Sequence, residues 1–220
     1  PLQGLLVTGA EQRLPFLLAG TDGAPLDDGP ATLDFVVTDQ DGNPVGDPVT
    51  VDRHDQGIPT AYYPLKFTFP GPGTYLAGAS LDGADLEPRA FAVVDPSEVA
   101  VPQPGDPMIP VDTPTTDDAR GVDPICTRDP ECDLHGQTLT AALAGGTPVA
   151  LSIATPAYCQ TAVCGPVLDV LLSQEGEFPD VAMVHAEVYK NPEASDNLAD
   201  ADLAAVVDAY QLSYEPVLFL

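Results

Sequence analysis

Residues 147–172 read TPVALSIATPAYCQTAVCGPVLDVLL. Residues 148–154 form a continuous apolar run, the pattern of a strand buried on both faces. Thr155-Pro156 turns the chain, and Cys159 and Cys164 follow. A helical pattern then runs through 166–174, with Gly165-Pro166 at its start, where the first turn tolerates proline. A buried strand therefore carries a cysteine to the mouth of a helix.

The surroundings extend this order. On the C-terminal side, residues 181–189 (VAMVHAEVY) read as a second strand. Residues 200–210 (DADLAAVVDAY) have helical spacing, with Leu203, Val206, Val207 and Tyr210 on one face. Ser195 and Asp196 offer caps on its approach. After Ser213-Tyr214-Glu215-Pro216, residues 217–220 begin another apolar strand. On the N-terminal side stand an irregular cysteine-bearing stretch, 121–135, and a short helical turn, 139–144. Strands alternating with helices imply parallel pairing with right-handed crossovers.

Cys159 after the first core strand, Pro166-Val167-Leu168-Asp169 in the following helix and Glu215-Pro216 before an apolar strand together resemble the thioredoxin-like fold. The resemblance covers about 100 residues. It implies a nucleophilic Cys159, a resolving Cys164 and a substrate groove shaped by Pro216. It also implies one more strand and a helix beyond Leu220. The match departs in its spacing, Cys-x4-Cys where thioredoxins have Cys-x-x-Cys. With Thr155-Pro156 ahead of it, that spacing looks more like one peroxiredoxin subgroup. Peroxiredoxins hold their thiolate with a later arginine, and no arginine follows Arg128 here.

Geometry limits this pair. Five residues apart on an unbroken helix, two Cα atoms sit about 9 Å apart, while a disulfide needs less than about 7 Å. A Cys159–Cys164 bridge therefore requires an irregular first turn, which Gly165-Pro166 permits. Loop entropy assigns such a short bridge roughly 2 kcal/mol. The redox reading places the thiolate at a helix N-terminus; the other reading is a structural staple. Cys126 and Cys132 (CTRDPEC) flank a proline turn and are expected to pair with each other as a staple, with crossed pairing to Cys159 or Cys164 as the alternative.

Cys159, Cys164 and His185 also resemble the ligand set of the copper-delivery branch of thioredoxin-like proteins, since soft thiolates select Cu(I). The cysteine spacing is longer by one, and His185 lies mid-strand, which favours a core-edge histidine. His135, after Cys132, is a second and equally weak candidate. No metal ligand and no cofactor is assigned.

Residues 1–95 read differently. Seven short runs, at 4–8, 13–18, 31–38, 48–53, 65–69, 74–81 and 89–94, alternate with turn signals. The run at 31–38 (ATLDFVVT) is rich in β-branched and aromatic residues. Asp39-Gln40-Asp41-Gly42-Asn43-Pro44 follows it as a turn; it lacks the later glutamate and flanking helices of a calcium loop. Short strands at this spacing imply an antiparallel sandwich. Phe67, Phe69, Pro70, Gly73 and Tyr75 resemble the late strands of bacterial immunoglobulin-like modules, where the tyrosine packs at a corner between sheets. Between the two halves, Pro96, Pro102, Pro104, Pro107, Pro110 and Pro114 fall in residues 96–120. Proline fixes φ and removes donors, so a stiff extended linker is expected there. The expected organisation is an immunoglobulin-like sandwich (1–95), a linker (96–120) and a thioredoxin-like domain (121–220).

Composition narrows the function. Net charge is −27, with 7 Lys+Arg against 34 Asp+Glu. Phosphate neutralisation needs the opposite balance, so nucleic-acid binding is excluded, and an anionic membrane surface is disfavoured. No apolar run is long enough to span a bilayer. The chain starts at Pro1, which suits an export signal or lipid anchor already removed. Four cysteines, no tryptophan and frequent Pro, Gly, Asp and Thr suit an exported bacterial protein. Three functions stand open: thiol–disulfide exchange through Cys159 and Cys164 on an extracytoplasmic protein partner, a non-catalytic accessory subunit with structural disulfides, and copper handling.

Overall fold

Alternation between buried and exposed positions builds the N-terminal half. In a strand, successive side chains point to opposite faces. Thus β3 (Thr32–Asp39) turns Leu33, Phe35 and Val37 inward, β6 (Gly73–Leu81) turns Tyr75 and Ala77, and β8 (Arg89–Val94) turns Phe91 and Val93. The computed structural model describes residues 6–20, 25–26, 28–58, 60–81, 83–159, 163–195 and 197–220. Gly4 and Leu5 of the first expected strand, and Asp196 as a cap, lie outside the described residues. The described chain is mostly β, and it divides into two compact units, Pro1–Pro104 and Gly105–Leu220.

The first unit holds two sheets. The larger has the order β1 (Leu6–Val7), β8, β6, β3, β4 (Val49–Asp52), with β7 (Ala84–Asp85) paired to β6. The smaller pairs β2 (Glu11–Phe16) with β5 (Tyr63–Thr68). Leu14 of β2 and Tyr63 and Leu65 of β5 share one core with Leu33, Phe35, Val37, Phe91 and Val93. Pairing is antiparallel except for β1 and β8, which run parallel with Leu6 opposite Val93. The wholly antiparallel expectation is corrected there.

β5 begins two residues earlier than the run expected at 65–69 and takes in Pro64. That proline sits opposite Pro15 of β2. Neither proline has an N–H, so the position leaves no backbone donor unpaired. Asp39 organises the following turn: its carboxylate accepts from the backbone N–H groups of Asp41 and Asn43 and from the Asn43 side chain, and Gly42 adopts φ 84°. Phe69 packs its ring against Tyr75 at 4.9 Å and Phe91 at 5.5 Å. The Tyr75 hydroxyl donates back to the Gly71 carbonyl.

The boundary between the units falls inside the proline-rich stretch. Residues 105–120 belong to the second unit rather than to a free linker. Met108, Ile109 and Val111 pack on its core, and Thr113 is buried, accepting the Leu139 N–H. Proline-rich chain carries few donors of its own, so it lies on an apolar surface at little hydrogen-bonding cost.

The second unit is built around β9 (Val149–Ile153), buried along its whole length. β10 (Ala182–Ala186) pairs parallel to it on one side and β11 (Val217–Phe219) antiparallel on the other. Three helices accompany this sheet among the described residues: α1 (Leu139–Ala144), α2 (Cys164–Ser173) and α3 (Ala205–Tyr210). α1 is capped by the Thr138 hydroxyl. α2 starts two residues before the expected position. Pro166 falls in its first turn, where an amide has no intrahelical partner.

α3 is shorter than the periodicity of 200–210 implies. Residues 202–204 are instead extended and pair with the chain after β10: Lys190 donates to the Asp202 carbonyl, Ala204 to the Val188 carbonyl, and Tyr189 bridges Leu203. Those tertiary bonds outweigh one more turn of an isolated short helix, which is marginal alone.

Candidate functional site

Two cysteine-bearing features lie in the second unit. The first is the bridge. Cys159 and Cys164 are joined in a disulfide with Cα atoms 5.9 Å apart. Cys159 lies just past a short 3-10 turn, Pro156–Tyr158, and Cys164 is the first residue of α2. Cys164 is completely buried, whereas Cys159 is half-buried. The Cys164 backbone N–H donates to Cys159 Sγ at 3.3 Å. One sulfur is therefore reachable and rests on a helix N-terminus, and the other is shielded.

Pro216 comes to the same end of β9. Val217 is opposite Ile153, and the Glu215 carboxylate accepts the Thr155 N–H at 2.5 Å. The strand that precedes Cys159 and the loop that holds Pro216 are thus tied together. Burial raises the Glu215 carboxyl above its ordinary range, and the Thr155 bond opposes that. A cleft beside this loop is lined by Val188, Tyr189, Leu203, Leu212, Tyr214 and Glu215.

The second feature was legible in the sequence only in fragments, as two separate weak candidates, His135 after Cys132 and His185 grouped with Cys159 and Cys164. Cys126, Cys132, His135 and His185 turn their ligand atoms toward one another in the interior. Cys126 Sγ and Cys132 Sγ are 3.6 Å apart, and both are free thiols. The expected Cys126–Cys132 bridge is corrected accordingly: a disulfide requires sulfurs about 2.05 Å apart. His185 Nδ1 lies 3.4 Å from Cys132 Sγ, 3.8 Å from Cys126 Sγ and 3.2 Å from His135 Nε2. His135 Nε2 is 3.5 Å from Cys132 Sγ.

His185 Nε2 bonds the Ala154 carbonyl at 2.9 Å. A carbonyl can only accept, so Nε2 carries the proton and Nδ1 presents a lone pair to the thiols. Neither ring nitrogen faces Cys159 or Cys164. The copper-type grouping of those cysteines with His185 is therefore corrected: His185 belongs with Cys126, Cys132 and His135. The hydrogen bond between the two thiols holds Cys126 well below the ordinary thiol range.

Glu187 lies beside this cluster and is buried. Burial pushes its carboxyl up to about 8, against hydrogen bonds from Thr127 and Thr155. Its carboxyl oxygens accept from Thr127 N–H at 2.6 Å and the Thr127 hydroxyl at 3.1 Å. The Thr127 hydroxyl in turn accepts the Ala157 N–H, in the turn ahead of Cys159. On the outside, Arg128 pairs with Asp169 of α2 at 2.7 Å.

The joint grouping of the four had one weak signal. Cys132 and His135 are three apart, a ligand-like spacing, but His185 is fifty residues from His135. Only the fold joins them. No helix among the described residues is long and apolar enough to cross a membrane. Comparisons with protein-family models, with curated proteins and with solved structures find no match for this chain.

Proposed function

We propose that the second unit is a thioredoxin-like module performing thiol–disulfide exchange on an extracytoplasmic protein partner. The observation that carries this reading is the asymmetry of the bridge. Half-buried Cys159 accepts the first N–H of α2, while Cys164 is sealed beneath it. Supporting it, β9, α2, β10, α3 and β11 follow in chain order, with parallel then antiparallel pairing and Pro216 at the head of β11. The first unit, two sheets around one core with Tyr75 bonded to its turn, is read as immunoglobulin-like.

In the reduced protein, the Cys159 thiolate attacks one sulfur of a partner disulfide. The S–S bond breaks, the far partner sulfur leaves as a thiolate and takes a proton, and a mixed disulfide remains. The Cys164 thiolate then attacks Cys159 Sγ, releasing the second partner sulfur and closing the Cys159–Cys164 bridge. Two electrons pass to the partner. The helix N-terminus, whose first N–H already points at Cys159 Sγ, favours the thiolate. The cleft along Tyr214 and Glu215 offers an apolar bed for an extended partner segment, although neither bridge cysteine lines it.

Disulfide reduction on a fluorogenic peptide is the test, together with the reduction potential of the bridge in glutathione buffers. The expected potential lies between about −270 and −180 mV, the span from thioredoxin to disulfide isomerase. A Cys159→Ser variant should be inactive. A bridge below about −300 mV, or full activity in that variant, rejects the reading.

A further inference from the structure

We propose that Cys126, Cys132, His135 and His185 form a tetrahedral site for a divalent transition-metal ion, with Zn²⁺ as its occupant. The proposal is independent of the exchange chemistry, since none of these residues belongs to the Cys159–Cys164 bridge.

The distances make the case. A tetrahedral zinc with Zn–S of about 2.3 Å and Zn–N of about 2.0–2.1 Å places two sulfurs about 3.8 Å apart, sulfur and nitrogen about 3.6 Å, and two nitrogens about 3.3 Å. The observed sulfur pair is 3.6 Å apart. Three sulfur–nitrogen pairs are 3.8, 3.5 and 3.4 Å apart. The two nitrogens are 3.2 Å apart. The remaining pair, Cys126 Sγ and His135 Nε2, lies within the same 4.8 Å sphere. Five of the six separations fall between 3.2 and 3.8 Å, as expected of four ligand atoms around a single centre. A thiol pair packed only for burial has no reason to draw two imidazole nitrogens into the same sphere.

The chemistry agrees. Two thiolates and two imidazoles suit zinc, which takes mixed sulfur and nitrogen ligands in four-coordinate sites. Two thiolates balance a divalent cation, so the buried cluster is neutral and escapes the cost of isolated buried charge. His185 is already oriented: its Nε2–H donates to the Ala154 carbonyl, the outer bond that turns Nδ1 toward a metal. The Cys132 N–H donates to Cys126 Sγ, a bond suited to a thiolate. All four side chains are buried and every position is filled by protein, which marks a structural ion rather than a catalytic one. The ion would clamp the segment carrying Cys126, Cys132 and His135 to β10. That segment includes Thr127, which braces the turn ahead of Cys159.

The test uses the full chain carrying Cys159→Ser and Cys164→Ala, so that Cys126 and Cys132 are the thiols that remain. The reduced protein is stripped with a chelator, reloaded with Co²⁺, then with Zn²⁺. We expect one zinc per chain by elemental analysis. The cobalt form should show the intense visible bands of a tetrahedral ion and a thiolate charge-transfer band, both lost when zinc displaces cobalt. A thiol reagent should find both cysteines protected in the loaded protein and both reactive in the stripped one. Cys132→Ala and His135→Ala should bring zinc from one per chain to near none. Should those variants fail to fold, the stripping, reloading and thiol counts on the parent chain decide alone. Substoichiometric zinc in the reloaded, folded protein overturns the proposal. So does a Cys126–Cys132 disulfide in the peptide map of the loaded sample, or uptake of Cu(I) without Co²⁺ or Zn²⁺.

Discussion

Reducing the Cys159–Cys164 bridge perturbs the second unit without removing an atom from its core. The two cysteines are five residues apart, so the loop they close is short. Loop-closure entropy for such a ring stabilises the folded unit by about 2 kcal/mol. Each 1.4 kcal/mol is tenfold in an equilibrium constant, so reduction should raise the open population of the unit about 30-fold. The reporters are the backbone amides of β9, at the centre of the three-stranded sheet, which exchange with solvent only when the unit opens. Native-state hydrogen exchange at Leu151 and Ile153 is compared in the oxidised protein and in excess reductant. Exchange should quicken by about 30-fold and remain cooperative. Unchanged exchange would mean that the bridge does not constrain the unit. Acceleration beyond about a thousandfold, more than 4 kcal/mol, would make the bridge a staple that the fold cannot release. That would refute a disulfide opened and closed in each turnover.

Two further outcomes follow from the packing. Burial raises the Glu215 carboxyl, so folding favours its protonated form. That stability is complete below the unfolded pKa and is lost as pH rises through the folded one. Glu215→Gln keeps an acceptor for the Thr155 N–H and removes the buried charge. It should therefore be more stable than the parent in urea at neutral pH, and the gap should close below about pH 4; a gap that widens on acidification refutes the assignment. In the first unit, Leu65 has no exposed surface. Leu65→Ala should cost about 2–5 kcal/mol by lost transfer and cavity terms, read from urea midpoints, and a loss under 1 kcal/mol would show that β2 and β5 collapse onto the gap.

Much of the local structure was legible because short-range rules govern it. The Asp39–Asn43 turn follows from a carboxylate next to backbone donors, and the Arg89–Val94 strand from its alternation. The unbroken apolar run at 148–154 became a strand buried on both sides for the reason its composition implies. Reading failed where a distant partner outbid a local tendency. Residues 202–204 carry a helical pattern but bond the chain beyond β10.

The cysteines divide along the same line. Cys159 and Cys164 are near neighbours ahead of a proline-bearing helix start, so chain geometry alone states what their bridge requires. Spacing made the same offer for Cys126 and Cys132 and misled, since it says nothing of what else packs between them. A strand of the sheet brings His185 to one side of that pair, and His135 closes the other. Three side chains of the 126–135 segment and one of β10 meet in the interior because the His185 N–H donates to the Leu134 carbonyl, joining stretches remote in sequence. Sequence by itself determined the elements, the charge and the bridge's geometric condition. Only tertiary packing decided which thiols met imidazoles, because that choice depends on which strands become neighbours.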